Sequence, residues 1–203
     1  NFGIKYQYLN EFLGSENFIK SKKENKYKGK NVIELLKKET PTINLLLRNL
    51  FNKEKDEVII NFINWLNVVG FQDRNQDVIF CFFGTTQELQ GQGAGKGVLV
   101  EFLKKMFSGL VCTISNRNYM NNFNSNMMNK KIVLFEEVDF KSLKYESIKE
   151  ITGSSTFRVE FKGKEPIETL NVSSWLMFSN DHDLYDKITI DDRRTFLIRP
   201  TPE

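Results

Sequence analysis

Histidine and cysteine are nearly absent from this chain: His182 is the only histidine in 203 residues, and Cys81 and Cys112 are the only cysteines. With no Cys/His cluster at metal-ligand spacing, a zinc site is excluded. Two cysteines set among apolar neighbours fit buried, reduced thiols, not a disulfide framework. An excess of one charge is lacking too: 29 Lys and Arg against 26 Asp and Glu leave a net charge of +3. Any contact with nucleic acid must therefore come from a local patch. No run approaches the roughly 20 apolar residues of a transmembrane helix. Asn1-Phe2-Gly3 carries neither an initiator Met nor a signal-peptide profile, so a cytoplasmic fragment of a longer protein is expected, with Pro200 and Pro202 opening a linker. What is abundant is apolar: 40% hydrophobic residues, 18 of the chain's residues being Phe, suffice for a sizeable core in one domain or a domain with a small appendage.

The pattern changes near residue 76. Before it the periodicity is helical: Ile33, Leu35 and Leu36, then Leu45, Leu46, Leu47, Leu50 and Phe51 after the start signal Thr40-Pro41-Thr42. A third helix is expected from Asp56 to Val69. A lysine-rich run (Lys20, Lys22, Lys23, Lys26, Lys28 and Lys30) reads first as a solvated surface and second as a weak phosphate patch. After residue 76 come short continuous apolar runs at 78–83, 132–135, 175–178 and 196–198, of the kind that forms strands buried on both faces of a parallel sheet. A helix over Val98 to Met106 lies between the first two, and the Asn-rich stretch Asn116 to Asn129 is expected to be looped. The expected fold is α/β, a three-layer αβα core with a mainly parallel sheet over 76–203, preceded by a small helical region over 1–75.

Gln90-Gly91-Gln92-Gly93-Ala94-Gly95-Lys96-Gly97 precedes the apolar helix pattern that begins at Val98. Three glycines in five residues let successive amides face one point, where the positive end of the next helix is also aimed. Gly91, Gly93, Ala94, Gly95, Lys96, Gly97 and Val98 are the candidate phosphate cradle, with Lys96 reaching the β- and γ-phosphates. Gln90 stands where the standard pattern opens with Gly, and Gly97 where it places a Mg²⁺-binding hydroxyl. Mg²⁺ must then lean on a distant carboxylate, on water and on phosphate. A plain Gly-rich strand-to-helix turn is the bland alternative.

Downstream, the apolar run Ile132 to Phe135 ends in Glu136 and Glu137. Adjacent acids at the end of a buried strand need a compensating cation. Alternation along a strand would separate their roles: Glu136 for Mg²⁺ or its waters, Glu137 to polarise an attacking water. Trp175 to Phe178 ends in Ser179-Asn180, so that Asn180 is placed to orient that water or touch a phosphate. Asp191-Asp192-Arg193-Arg194 precedes the last apolar run, and Arg193 and Arg194 suit an arginine finger given to a neighbouring subunit. Local salt bridges or an Asx turn would explain the same residues without chemistry.

As an ordered set these motifs resemble the superfamily 3 helicases of phages, plasmids and DNA viruses, within the AAA+ group. They are similar in particular to helicase-like domains fused to phage and plasmid primase–polymerases, where the loop reads Gly-x-Gly-x-Gly-Lys-Gly. The resemblance covers residues 76–199 and includes Phe123-Asn124. It implies ATP and Mg²⁺ as cofactors, single-stranded DNA as partner, a homo-oligomeric ring (a hexamer), arginines given in trans, a fused primase–polymerase, and host-cell cytoplasm if phage-encoded. It also gives meaning to the alternation of Phe157, Val159 and Phe161 with Arg158, Glu160 and Lys162, followed by the turn Lys162-Gly163-Lys164: a β-hairpin whose Arg158, Lys162 and Lys164 contact DNA phosphates. Two competing functions remain open: a ring scaffold with little ATPase activity, motivated by Gly97, and a small-molecule kinase, disfavoured by the paired acids.

Overall fold

The computed structural model describes residues 29–51, 56–71, 75–84, 95–115, 124–138, 150, 152–180 and 194–200. Helices α1 (Gly29–Glu39) and α2 (Pro41–Leu50) break at Thr40. Pro41 occupies the first turn of α2, where its missing N–H is not needed, and the Thr40 hydroxyl donates back to the Leu36 carbonyl at 3.3 Å. Helix α3 (Asp56–Phe71) opens with Asp56 and Glu57 at its positive end, and Asp56 pairs with Arg48 of α2. It buries Ile59, Phe62, Ile63, Trp65, Leu66 and Val69 at helical spacing.

Among the described residues five strands form one parallel sheet: β1 (Ile79–Phe82), β2 (Val111–Ile114), β3 (Ile132–Phe135), β6 (Ser174–Phe178) and β7 (Thr195–Ile198), in the order β2-β3-β6-β1-β7. β1, β3 and β6 are buried at every residue, the consequence of being covered on both sides. Successive residues of β1 serve two different cores. Phe80 and Phe82 face α1, α2, α3 and α4 (Lys96–Met106), meeting Phe62, Trp65, Leu99 and Leu103. Ile79, Cys81 and Phe83 face the other side, with Met127, Phe157, Val159 and Trp175.

Aromatic rings dominate the first core. Phe62 lies 5.2 Å from Phe80 and 4.8 Å from Phe51, ring centre to ring centre, and Phe82 stacks on Phe178 at 5.3 Å. The Trp65 indole donates to the Val78 carbonyl at 3.1 Å, pinning α3 to the start of β1. The change of period near residue 76 thus marks a switch from helix to strand, and the helices before it share their core with the sheet. On the opposite face, among the described residues, the cover is the 3₁₀ turn Ser125–Met127 and the antiparallel hairpin of β4 (Thr156–Val159) and β5 (Ile167–Leu170). The expected α/β fold with a parallel sheet is observed.

Candidate functional site

Because every strand of the sheet points the same way, their C-terminal ends share one edge. Along it stand Glu136 after β3, Ser179 and Asn180 after β6, and Lys96 in the segment that follows β1. A cavity of about 360 Å³ opens there, lined by Lys96, Gly97, Glu136, Glu137, Ser179 and Asn180 and floored by Val100 and Phe178.

Gly95 sets the start of α4. Its φ of +88° is one that L side chains rarely adopt, and a Cβ there would stand 2.6 Å from Leu46 Cδ1 of α2. Gly95→Ala is therefore expected to destabilise the fold by about 1–3 kcal/mol, read as a lowered urea midpoint. An unchanged midpoint would show that the α2–α4 contact is loose.

Lys96, the first helical residue, donates to the Asn180 Oδ1 at 2.9 Å and to the Ser179 carbonyl at 3.3 Å. Burial holds its pKa below the ordinary lysine value. Lys96 and Gly97, the first two residues of α4, both line the cavity, and an ammonium at a helix start suits anionic oxygen. Gly97 lines the cavity as well, and a Cβ there would meet nothing within 4 Å. The missing hydroxyl is thus not imposed by packing.

The two acids are arranged differently from the expectation of opposite faces. β3 ends at Phe135, and Glu137 takes a left-handed conformation with φ 54°. The amides on either side are tied down: Glu136 N–H to the Ile114 carbonyl at 3.4 Å, Val138 N–H to the Phe178 carbonyl at 2.8 Å. The chain bulges between these ties, and both carboxylates line one cavity. Strand alternation does not apply to residues that have left the strand.

Ser179 fastens this edge. Its amide donates to the Phe82 carbonyl and its buried hydroxyl to the Val138 carbonyl, both at 2.8 Å, so the ends of β1, β6 and the post-β3 turn are linked through one residue. Glu101 and Lys104 of α4 also line the cavity, and sequence reasoning missed both. They follow Gly97 at four and seven residues, the spacing of one helix face, and that spacing could have found them. Burial pushes the Cys81 thiol up to about 12 and the Cys112 thiol up to about 11, away from the thiolate form that reacts.

Other expected residues lie elsewhere. Val98 is 61% exposed and off the cavity wall. Arg194 precedes β7 at the opposite edge of the sheet, its carbonyl accepting from Ile79 N–H at 2.7 Å and its guanidinium against Gly153. Gly91, Gly93, Ala94, Phe123 and Arg193 lie outside the described residues.

The hairpin read from the alternation at 157–161 is present. Phe157 and Val159 are buried against the sheet, while Arg158, Lys162 and Lys164 are exposed. Arg158 pairs with Glu160 at 3.8 Å. Gly163 turns the chain with φ +72°. Asn124 acts as a third strand in miniature: its side chain donates to the Arg158 carbonyl at 2.8 Å and accepts from Glu160 N–H at 2.9 Å. That contact explains an Asn at this place in terms of hairpin position.

A metal would fit this donor set only together with a ligand. Among the described residues no three His, Cys, Asp or Glu stand together as a cage. One or two carboxylates completed by water and phosphate oxygens is the ordinary environment of Mg²⁺, and Glu136 and Glu137 meet that need.

Comparisons with known proteins agree with this architecture. The model of a family described as "Family of unknown function (DUF5906)" matches residues 89–194, just over half of the chain. A DNA primase-polymerase of Nitratiruptor phage NrS-1 is 32% identical over 152 residues, which make up 71% of this chain and 20% of that protein. An A-form apo structure of the NrS-1 C-terminal region aligns with a TM-score of 0.67 and 29% identity, covering 78% of this chain and 37% of the other. Another apo structure of that region gives 0.67 and 30%, covering 78% and 38%. The chain thus spans about a fifth of the curated relative's length. No helix among the described residues is long and apolar enough to cross a membrane.

Proposed function

The chain belongs to the DUF5906 family, and from that footing we propose that it is an ATP-driven DNA translocase domain of superfamily 3 helicase type, acting alongside a primase–polymerase. The observation that carries this reading is the convergence of Lys96, Asn180, Glu136 and Glu137 on one cavity at the ends of adjacent parallel strands. An ammonium, a helix N-terminus and two carboxylates are what a nucleoside triphosphate with its metal requires. Lys96 binds the phosphates, Glu137 takes the proton of the attacking water, and Asn180 orients that water. Glu136 holds the metal, and Mg²⁺ when bound neutralises charge on the phosphates.

Arg194 stands at the far edge of the sheet from its own cavity, so either it or Arg193 serves a neighbouring copy in a ring, a hexamer by resemblance. Single-stranded DNA is taken by the exposed Arg158, Lys162 and Lys164 on a hairpin that Asn124 holds in place. Gly97, with room for a side chain and none present, favours a second reading: a ring scaffold that binds nucleotide and DNA with little turnover.

ATP hydrolysis by the purified chain, with and without single-stranded DNA and alongside its mass in solution, separates the two. DNA-stimulated turnover by a multi-subunit species is the expected result. An assembled species that binds DNA without turnover would establish the scaffold instead. Lys162→Ala with Lys164→Ala is expected to flatten the plot of log affinity against log salt by about 1.4, the loss of two phosphate contacts on a single strand. An unchanged slope would remove the hairpin from the DNA path.

A further inference from the structure

The cavity wall carries a contact that a nucleotide site does not require. The Lys104 ammonium lies 3.6 Å from Glu136 Oε1 and 3.4 Å from Glu101 Oε1. The Thr113 hydroxyl of β2 reaches the same Glu136 oxygen at 3.5 Å. Lys104 stands two turns along α4 from Lys96, on the cavity-facing stripe that begins with Gly97. The carboxylate assigned to the metal is therefore already paired with a cation of its own chain. That cation comes from the helix that offers no hydroxyl at position 97.

We propose that Lys104 is the resident counter-ion of Glu136 and sets the concentration of divalent cation that the site demands. The inference rests on the nucleotide reading above. An ammonium and a divalent cation beside one carboxylate oxygen repel each other, so Lys104 has to give up Glu136 before a metal can be held there. Glu101, one helical turn back on the same face, already holds the ammonium at 3.4 Å and keeps it when Glu136 is given up. Lys104 thus bridges two carboxylates, and Glu101 favours the arrangement that releases Glu136. The pair is half exposed, with side-chain accessibilities of 39% and 40%, so the coupling is modest: about two- to fivefold in half-saturating Mg²⁺.

The test is the binding of a fluorescent ATP analogue to the full chain, titrated with Mg²⁺ at low ionic strength, and repeated with Mn²⁺ followed by electron paramagnetic resonance. Lys104→Gln is expected to lower the half-saturating metal concentration about two- to fivefold. Glu101→Gln, which leaves Lys104 wholly to Glu136, is expected to raise it. Lys105→Gln changes a neighbouring exposed charge off the cavity wall and is expected to leave it in place. Metal-dependent nucleotide binding with the same half-saturation in Lys104→Gln as in the natural chain would overturn this inference alone. No nucleotide binding by the natural chain at any metal concentration would overturn the nucleotide reading and this inference with it.

Discussion

Lys96→Ala is expected to lower ATP turnover by about 10²–10³-fold, the usual loss when one preorganised charge partner of the reacting group is removed. The substitution is mild for the fold, since alanine is the best helix former and position 96 is the first residue of its helix. It frees the Ser179 carbonyl and the Asn180 side chain from their contacts at 3.3 and 2.9 Å, and it also removes an ammonium that burial disfavours. Those effects oppose each other, so stability should change by about 1 kcal/mol or less. Turnover, nucleotide affinity and urea midpoint measured together distinguish a lost phosphate partner from a damaged fold. Normal turnover in this variant would dissolve the assignment of the loop.

Glu137→Gln is expected to reduce turnover by about 10²–10⁴-fold, as for loss of a general base, while nucleotide still binds. Glu137→Gly should also abolish turnover, yet it should strengthen the fold. A left-handed conformation costs an L residue about 1–2 kcal/mol, and Glu137 adopts it at φ 54°. Glycine avoids that strain but loses more chain entropy on folding, about 0.5–1 kcal/mol. The net gain is then about 0.5–1 kcal/mol in the same denaturation experiment. Stabilisation with loss of activity would mean that the strain is kept for placing a carboxylate. Stabilisation with full activity would move the base elsewhere, Glu136 being the nearest candidate.

The sheet was legible in the sequence because its strands are buried on both faces and so are written as unbroken apolar runs: 79–82, 132–135 and 174–178 lie within a residue of where hydropathy alone puts them. Helices α2 and α3 were equally plain, from Pro41 and from the spacing of Ile59 to Val69. Strand order was not legible, since pairing of β1 with β6 and β7 depends on contacts between distant segments.

In the site, Lys96 was legible from the glycine-rich loop before its helix, and Asn180 and the acid pair from standing at the ends of apolar runs. The turn at Glu137 did not, because a left-handed glutamate has no local signature and is imposed by ties from Ile114 and Phe178. Lys104 has an acid three residues before it on its own helix, but its second partner, Glu136, comes only from the position of β3 beside α4.

The order β2-β3-β6-β1-β7 also bears on how the chain reaches this structure. β1 has its two neighbours in the last two strands described, so its ladder closes only after most of the sequence has been made. Pairings so distant in sequence are slow to form, and an unpaired apolar strand is prone to associate with other molecules in the meantime. The three described helices ahead of it are local and can assemble early. By laying Phe51, Phe62 and Trp65 on Phe80 and Phe82, they would cover one side of the waiting strand during synthesis. The helices that precede β1 would then serve the birth of the sheet as well as its finished core.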